Sequence, residues 1–218
     1  INTLYLNFLR SLFSMAQQIA TVGKEAPLAH AKLDAVLGND EIGQVCINDF
    51  TSQGKWVVLY FYPLAFTFVC PSEILAFAEK QTDFNAANCE IIGCAVDSVY
   101  STHAWKQVDS KKGGINGVKY PIVSDLTHKI GIAYNCLMDS GHHNRTTVII
   151  DPSNTIRMIY SQDPPAGRNA DEVLRLVEAY QFAAEHGEVC PAGFNKKTNP
   201  KTIKPDPTGK LEYFEEKY

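Results

Sequence analysis

The chain has 218 residues, of which 45% are hydrophobic and 20% are charged, and this balance predicts one folded domain with a buried core. The net charge of −4 argues against nucleic acid as a partner, because phosphate contacts need concentrated Lys and Arg. No apolar run reaches the ~18 residues that a membrane-spanning helix needs. We therefore expect neither nucleic acid nor membrane as a partner.

The first fourteen residues, INTLYLNFLRSLFS, contain no acidic side chain, one basic side chain and many large apolar ones. This composition fits either the remnant of a targeting peptide or an upstream extension, since Met15-Ala16 resembles an ordinary start. We assign residues 1–15 to a leader or N-terminal extension. A cytoplasmic location is the first expectation, and a mitochondrial one is the alternative that the leader indicates.

The elements that follow alternate between strands and helices. Residues 26–54, broken by Gly, Asn and Asp, predict a hairpin or edge strands. The apolar run 55–62 predicts a central parallel strand that is buried on both faces. A helix is expected over 71–88, because apolar residues recur at helical spacing and Pro71 suits a first helical turn. The remaining expected elements are strand 89–96, helix 101–108, strand 120–124, short helix 126–134, strand 146–151, turn 152–154, strand 155–161 and helix 170–185.

This order predicts a thioredoxin-like α/β fold, in which helices flank a central mixed sheet. Strands 146–151 and 155–161 are expected to form an antiparallel hairpin. We assign residues 16–186 to this domain. From Gly187 the composition changes to Gly, Pro, Lys and Asn, which predicts an extended C-terminal arm over residues 187–218 that ends in a short amphipathic segment.

The six cysteines do not form a recognisable metal site or disulfide framework. No C-x-x-C pair is present, which excludes the thioredoxin-type redox motif and the commonest zinc site. Cys89 and Cys94 are an odd number of positions apart on one predicted strand, so their side chains face opposite sides of the sheet. We expect both to pack in the core, and we expect no metal and no organic cofactor.

Cys70 is the strongest candidate for a reactive residue. It stands at the expected N-terminus of a helix, where the helix dipole and nearby cations lower the pKa of a cysteine thiol from its ordinary value of about 8.5. Arg145 and Arg168 stand at strand or loop ends from which they can reach it, Thr67 offers a hydroxyl, and Pro63 shields the site from water. This set suits attack on a neutral O–O bond, because the leaving oxygen develops charge that needs donors in place.

Structural interpretations compete with these functional ones. Cys70 taken alone fits a buried core cysteine, and Cys190 fits an unpaired thiol of the arm. Arg145 and Arg168 fit ordinary ion-pairing residues. His142-His143 is predicted to lie in a solvated loop, because adjacent residues of an extended segment face opposite ways and do not share a metal.

The stretch PLAFTFVCPSE, residues 63–73, closely resembles the peroxidatic signature P-x-x-x-T-x-x-C-P of the peroxiredoxins. The similarity continues through VDSVYSTHAW, the strand led by Arg145, GRNADEVLRLV and HGEVCPAGF. As a set, these motifs resemble the typical 2-Cys subgroup. The resemblance implies a thiol peroxidase that reduces hydrogen peroxide and organic hydroperoxides.

The resemblance also implies partners and a role for each matching residue. A thioredoxin-type protein would serve as reductant, and the chain would form an antiparallel homodimer and a decamer of five dimers. Cys70 would be the peroxidatic cysteine, oxidised to a sulfenic acid, and Cys190 the resolving cysteine, which forms a disulfide with Cys70 of the partner subunit. Thr67, Pro63 and Arg145 match active-site positions, and Glu73 and Arg168 match a supporting polar network.

Three segments depart from the family pattern, and a fourth, Tyr213-Phe214, keeps it. Ala65 stands where the family commonly has Asp, and Ser72 where it commonly has Thr. The over-oxidation-sensitive members carry a G-G-L-G loop and a Y-F pair, to which Gly113-Gly114-Ile115-Asn116 and Tyr213-Phe214 correspond. We hypothesise that Tyr213-Phe214 packs over the Cys70 helix and slows its unwinding.

Two other functions compete with the peroxidase. A cysteine hydrolase needs a histidine oriented at Cys70, and no histidine of the chain carries a recognisable signature of that kind. An oligomeric redox-regulated chaperone or redox relay is the second alternative, and it is compatible with peroxidase activity.

Overall fold

Strands and helices alternate along residues 19–218, which is the part of the chain that the computed structural model describes. The strands are β1 (Leu33–Val36), β2 (Ile42–Val45), β3 (Trp56–Phe61), β4 (Cys89–Ala95), β5 (Ile122–Ser124), β6 (Arg145–Ile150) and β7 (Ile156–Gln162). The α-helices are α1 (Ile47–Thr51), α2 (Cys70–Glu79), α3 (Gln81–Ala86), α4 (Val99–Lys106), α5 (Lys129–Ala133), α6 (Ala170–His186) and α7 (Lys210–Lys217), and a short 3-10 helix covers Ser110–Lys112. The expected leader, residues 1–15, lies outside the described residues.

The strands form one mixed sheet in the order β2-β1-β5-β4-β3-β6-β7. Central strand β3 pairs in parallel with β4 and antiparallel with β6. An antiparallel hairpin of β1 and β2 closes one edge, and the hairpin of β6 and β7 closes the other. The mixed sheet and both hairpins expected from the sequence are confirmed.

The core consists of two layers on opposite faces of β3, whose side chains are all buried. Val58 and Tyr60 face the layer that contains α2, α4 and α6. Val57 and Leu59 face the layer that contains α1 and α5. This alternation is the two-residue period of a strand, and because both faces are covered the sequence shows a continuous apolar run.

Cys89 and Cys94 lie in different core layers, as their spacing on β4 predicts. Both side chains are buried, and burial raises the pKa of both thiols well above the ordinary value. Their role as small core residues is therefore confirmed.

The single helix expected over 71–88 is wrong, because the segment forms two helices that meet at Lys80. The backbone of Lys80 leaves the helical region, with φ −92° and ψ 0°. Its side chain forms an ion pair with Asp171 of α6 at 2.7 Å, a contact far along the chain. Neither glycine nor proline stands at this position to indicate the break.

The C-terminal arm folds back on itself after Gly187, which ends α6 with φ +67°. Val189 pairs with Ile203 in an isolated antiparallel bridge. Helix α7 is tied to the arm by ion pairs that include Lys204 with Glu212 at 2.9 Å. Within residues 19–218, no hydrogen bond or ion pair joins α7 to α2, and the packing of Tyr213-Phe214 over the Cys70 helix stays a prediction.

None of the helices in residues 19–218 combines the length and the apolar character that a membrane span requires.

His143 is buried, and the prediction of a solvated loop for His142-His143 is wrong for this residue. Its Nε2 lies 3.0 Å from Oδ2 of Asp125. The Asp125 carboxylate also accepts hydrogen bonds from the backbone N–H groups of Ile130 and Gly131 at the start of α5, at 2.9 and 2.7 Å. The histidine therefore completes a buried polar cluster that spacing along the chain does not reveal.

Gly131 leaves the space that the His143 ring fills. A Cβ atom at position 131 would lie 2.5 Å from Nε2 of His143. We expect Gly131→Ala to lower the free energy of unfolding by about 1 to 3 kcal/mol, because the overpacked site must shift. Urea unfolding checks this value, with Ile132→Ala on the exposed side of α5 as control.

The same substitution in a His143→Ala background tests the cause. In that background Gly131→Ala should lower the free energy of unfolding much less, because the imidazole ring that the new methyl group would meet is absent. An equal loss in both backgrounds would contradict the steric match between Gly131 and His143.

Candidate active site

The loop 62–69 sets the start of α2 and therefore the position of Cys70. The N–H of Ala65 donates to Oδ2 of Asp97 at 2.8 Å, and the hydroxyl of Thr67 donates to the carbonyl of Leu64 at 2.9 Å. Phe66 takes φ +56°, a left-handed conformation that is costly for a bulky residue, and its ring packs against Trp105 at 5.6 Å. The loop is thus held by contacts on both sides of the bend.

Asp97 is a residue of this site that the sequence analysis missed. It follows β4 at the carboxyl edge of the sheet, beside the loop that follows β3. Burial raises the pKa of its carboxyl group, and the hydrogen bond from the N–H of Ala65 opposes that shift. An acidic residue directly after a buried strand was the available signal, because ligand and catalytic sites in α/β sheets gather at this edge.

Cys70 is the first residue of α2 and is 1% exposed, in agreement with the helix start expected from the sequence. Its Sγ lies 3.6 Å from Nη1 of Arg145. The thiol is not in a disulfide. A sulfur at a helix N-terminus beside a guanidinium experiences positive electrostatic potential from both groups.

Arg145 reaches Cys70 because β6 runs antiparallel to β3. The first residue of β6 therefore lies near the end of β3, where the Cys70 loop begins. The side chain is buried, with Nε donating to the carbonyl of Pro164 at 2.7 Å and Nη1 donating to Glu73. The expectation of an antiparallel strand led by this arginine is confirmed.

Glu73 is a buried carboxylate that holds two guanidinium groups. Besides Arg145, it accepts hydrogen bonds from Nε and Nη2 of Arg168 at 2.8 and 3.0 Å, and from the Arg168 backbone N–H at 2.8 Å. Arg168 also donates to the carbonyl of Thr146 at 3.0 Å and lies over the Tyr60 ring at 4.9 Å. The network joins α2, β6 and the loop that precedes α6.

Pro63 is buried in the same loop, whereas Thr67 is half-buried. Both belong to the loop that leads into the helix beginning at Cys70, and no hydrogen bond joins the Thr67 hydroxyl to the thiol within the described part of the chain. Cys70, Arg145, Glu73 and Arg168 form one connected set, and Pro63 and Thr67 belong to the loop that borders it.

Cys190 lies apart from this set, on the C-terminal arm. Its side chain is partly exposed, and Sγ donates to the carbonyl of Ala179 in α6 at 3.4 Å. Burial raises the pKa of the Cys190 thiol, and the nearby Arg175 opposes the shift. Cys70 and Cys190 are both free thiols with separate contacts.

Comparison with known proteins identifies the family. Residues 22–159 match the AhpC/TSA family, and residues 179–216 match the C-terminal domain of 1-Cys peroxiredoxin. The chain belongs to the AhpC/TSA family of peroxiredoxins. The peroxiredoxin resemblance inferred from the motifs is therefore confirmed.

Relatives and solved structures agree with this assignment. The peroxiredoxin is 44% identical over 217 residues to the mitochondrial thioredoxin-dependent peroxide reductase of Drosophila melanogaster, covering 94% of this chain and 92% of that protein. It is 46% identical over 189 residues to the thioredoxin peroxidase of Trypanosoma brucei rhodesiense, covering 86% and 93%. The crystal structure of the reduced 2-Cys peroxiredoxin of Plasmodium vivax matches with a TM-score of 0.84 at 40% identity, covering 89% and 98%.

These findings establish the reaction class. The protein is an oxidoreductase that reduces peroxides, and its fold is the thioredoxin-like one expected from the sequence. The named activities of its relatives are peroxide reductions, and they do not favour the chaperone or relay alternative.

Glu73 offers a direct test of the network. Glu73→Gln removes the negative charge that two buried guanidinium groups share, and we expect the free energy of unfolding to fall by about 3 to 5 kcal/mol. Denaturant unfolding measures the loss. The matched control is Glu79→Gln, an exposed residue of the same helix, for which we expect a change within about 0.5 kcal/mol. Equal effects of the two variants would contradict a buried network centred on Glu73.

Proposed function

We propose that this peroxiredoxin reduces hydrogen peroxide and organic hydroperoxides through Cys70. The thiolate sulfur attacks the terminal oxygen of the peroxide, so that an S–O bond forms while the O–O bond breaks. The attacked oxygen keeps its hydrogen, which leaves Cys70 as a sulfenic acid. The other oxygen departs with the electron pair of the O–O bond and takes up a proton, giving water or an alcohol.

The observation that carries the proposal is the 3.6 Å contact between Arg145 and the Sγ of Cys70 at the first residue of α2. The guanidinium stabilises the attacking thiolate, and it also faces the charge that develops on the leaving oxygen. Glu73 and Arg168 act as supporting residues, because their hydrogen bonds fix the Arg145 side chain before the substrate arrives.

Thr67 and Pro63 are assigned to peroxide binding and to shielding from water. Their place in the motif and in the loop that borders Cys70 supports these roles. The hydroxyl of Thr67 is fixed by the carbonyl of Leu64, which orients its oxygen as an acceptor for a peroxide hydrogen.

Cys190 of the partner subunit is the proposed resolving thiol, carried by the arm of residues 187–218. A disulfide needs Cα atoms within about 7 Å, so the buried Cys70 has to leave its place in α2. The first turn of the helix lacks a side-chain cap, because Val69 makes no capping hydrogen bond. Local unwinding of this turn exposes Cys70 to the second thiol.

A thioredoxin-type dithiol is the proposed reductant, which attacks the intersubunit disulfide and restores both thiols. The names of the Drosophila and Trypanosoma relatives support this partner. The Drosophila name also supports the mitochondrial alternative for location over the cytoplasmic one. Residues 1–14, on which that alternative rests, lie outside the described residues.

Two surfaces support the proposed assembly into antiparallel dimers and a decamer of five dimers. Strand β7 is an edge of the sheet, and no strand of residues 19–218 pairs with its outer side. A groove of about 570 Å³ on another face is bordered by Leu28, Tyr100 and Leu126, all exposed apolar side chains. Each surface offers a site for a second copy of the chain.

The disulfide is tested by gel mobility after one equivalent of hydrogen peroxide, with and without reductant. We expect a covalent dimer in the wild type and in the control Cys46→Ser, and its loss on reduction. Cys70→Ser and Cys190→Ser should each fail to form it. A dimer that persists in Cys190→Ser would contradict Cys190 as the resolving residue, and peroxide consumption by Cys70→Ser would contradict the assignment of Cys70.

A further inference from the structure

Cys190 lies in a groove of about 310 Å³ between the arm and α6. Arg175, Ala179 and Ala183 line the helix side of this groove, four residues apart, and so share one face of α6. The small alanines allow the arm to approach closely, and the thiol rests on the carbonyl of Ala179. The only cation among the residues that line the groove is Arg175.

Arg175 holds the arm as well as lining the groove. Its Nη1 donates to the carbonyl of Phe194 at 2.7 Å, and the Phe194 side chain is buried. Its Nε and Nη2 pair with the two carboxylate oxygens of Glu172 at 2.6 and 2.7 Å. These three hydrogen bonds fix the guanidinium at the end of the groove that contains Cys190.

We propose that Arg175 serves the resolving step by holding the arm that carries Cys190 and by placing a positive charge in the same groove. This inference rests on the proposed role of Cys190. In that step the Cys190 sulfur attacks the sulfur of the sulfenic acid at Cys70 of the partner subunit. An S–S bond forms as the S–O bond breaks, Cys190 is oxidised while the sulfenic sulfur is reduced, and the oxygen leaves as hydroxide that is protonated to water.

The charge of Arg175 matters because the thiol is otherwise disfavoured as an anion. Burial raises the pKa of Cys190, and among residues 19–218 the charge of Arg175 acts in the opposite direction. The attacking species in sulfur exchange is the thiolate, so the rate of disulfide formation follows its population. Arg175 therefore belongs to the second half of the reaction, whereas Arg145 belongs to the first.

The first experiment measures alkylation of Cys190 by iodoacetamide in a Cys70→Ser background, read by mass spectrometry of the peptide that contains Cys190. We expect Arg175→Met to slow alkylation by about threefold or more and Arg175→Lys to restore most of the rate. Glu172→Gln should leave the alkylation rate unchanged or raise it, because it removes the opposing charge while the hydrogen bond from Arg175 to the carbonyl of Phe194 remains. The control Lys55→Met, which removes a partly buried cation paired with Glu90, should have no effect.

The second experiment separates the two half-reactions by stopped-flow mixing with peroxide. Arg175→Met should form the Cys70 sulfenic acid at the wild-type rate and the disulfide more slowly, by the factor seen in alkylation. Alkylation that is unchanged or faster in Arg175→Met would overturn the inference, because Arg175 would then only hold the arm closed. Slower alkylation with an unchanged rate of disulfide formation would also overturn it.

Glu172→Gln keeps the inference testable if Arg175→Met unfolds, because it removes the carboxylate that offsets the Arg175 charge. Slower alkylation of Cys190 in that variant would contradict the inference. The readouts also separate this inference from the proposed function. The alkylation rate of Cys190 can be measured whether or not Cys190 is the resolving residue. A covalent dimer that still forms in Cys190→Ser would contradict the resolving role of Cys190 and would leave the effect of Arg175 on its alkylation unaffected.

Discussion

The buried carboxylate of Glu73 is the group on which the geometry of the active site depends. An unpaired charge at this depth would be very costly, and the chain meets the requirement by bringing Arg145 and Arg168 to the same two oxygens. Those arginines come from β6 and from the loop before α6, so one ion cluster fixes three distant segments. The position of the Arg145 guanidinium beside Cys70 is a consequence of that cluster.

In the proposed mechanism, this arrangement separates an anchored part of α2 from the first turn, which unwinds. Glu73 anchors the helix one turn beyond Cys70, whereas the residues before it are held by the loop and lack a side-chain cap. The proposed mechanism needs both properties, because in it the Cys70 thiol is precisely placed for peroxide and is then released for the second thiol. Cys190 also lies near an arginine. Its thiol donates to the carbonyl of Ala179 in α6, and Arg175 of the same helix binds the arm through the carbonyl of Phe194.

Much of the fold follows from local patterns in the sequence. The run 55–62 specified β3 because both faces of that strand are buried, and Pro71 with Glu73 marked the start of α2. The odd spacing of Cys89 and Cys94 on one strand was enough to predict that they lie on opposite faces of the sheet. The break at Lys80 was missed, because it depends on a partner in α6 that lies far along the chain.

The sequence predicted which residues form the site better than it predicted the contacts between them. The motifs indicated Cys70, Arg145, Glu73 and Arg168, but only the folded chain shows that one carboxylate holds both arginines. Asp97 was overlooked because it acts on a backbone N–H, and backbone partners leave little trace in a sequence. His143 was misjudged because its burial requires Asp125 and the space left by Gly131.

The central claim is that the Arg145 guanidinium is responsible for the reactivity of Cys70 toward peroxide. The most direct measurement is the second-order rate constant for sulfenic acid formation with hydrogen peroxide, by stopped flow in a Cys190→Ser background. Replacing Arg145 with Gln removes the charge and should lower the rate by about 10² or more, because a preorganised donor faces the leaving oxygen. A rate within a few-fold of the parent protein, in a variant that remains folded, would contradict the account.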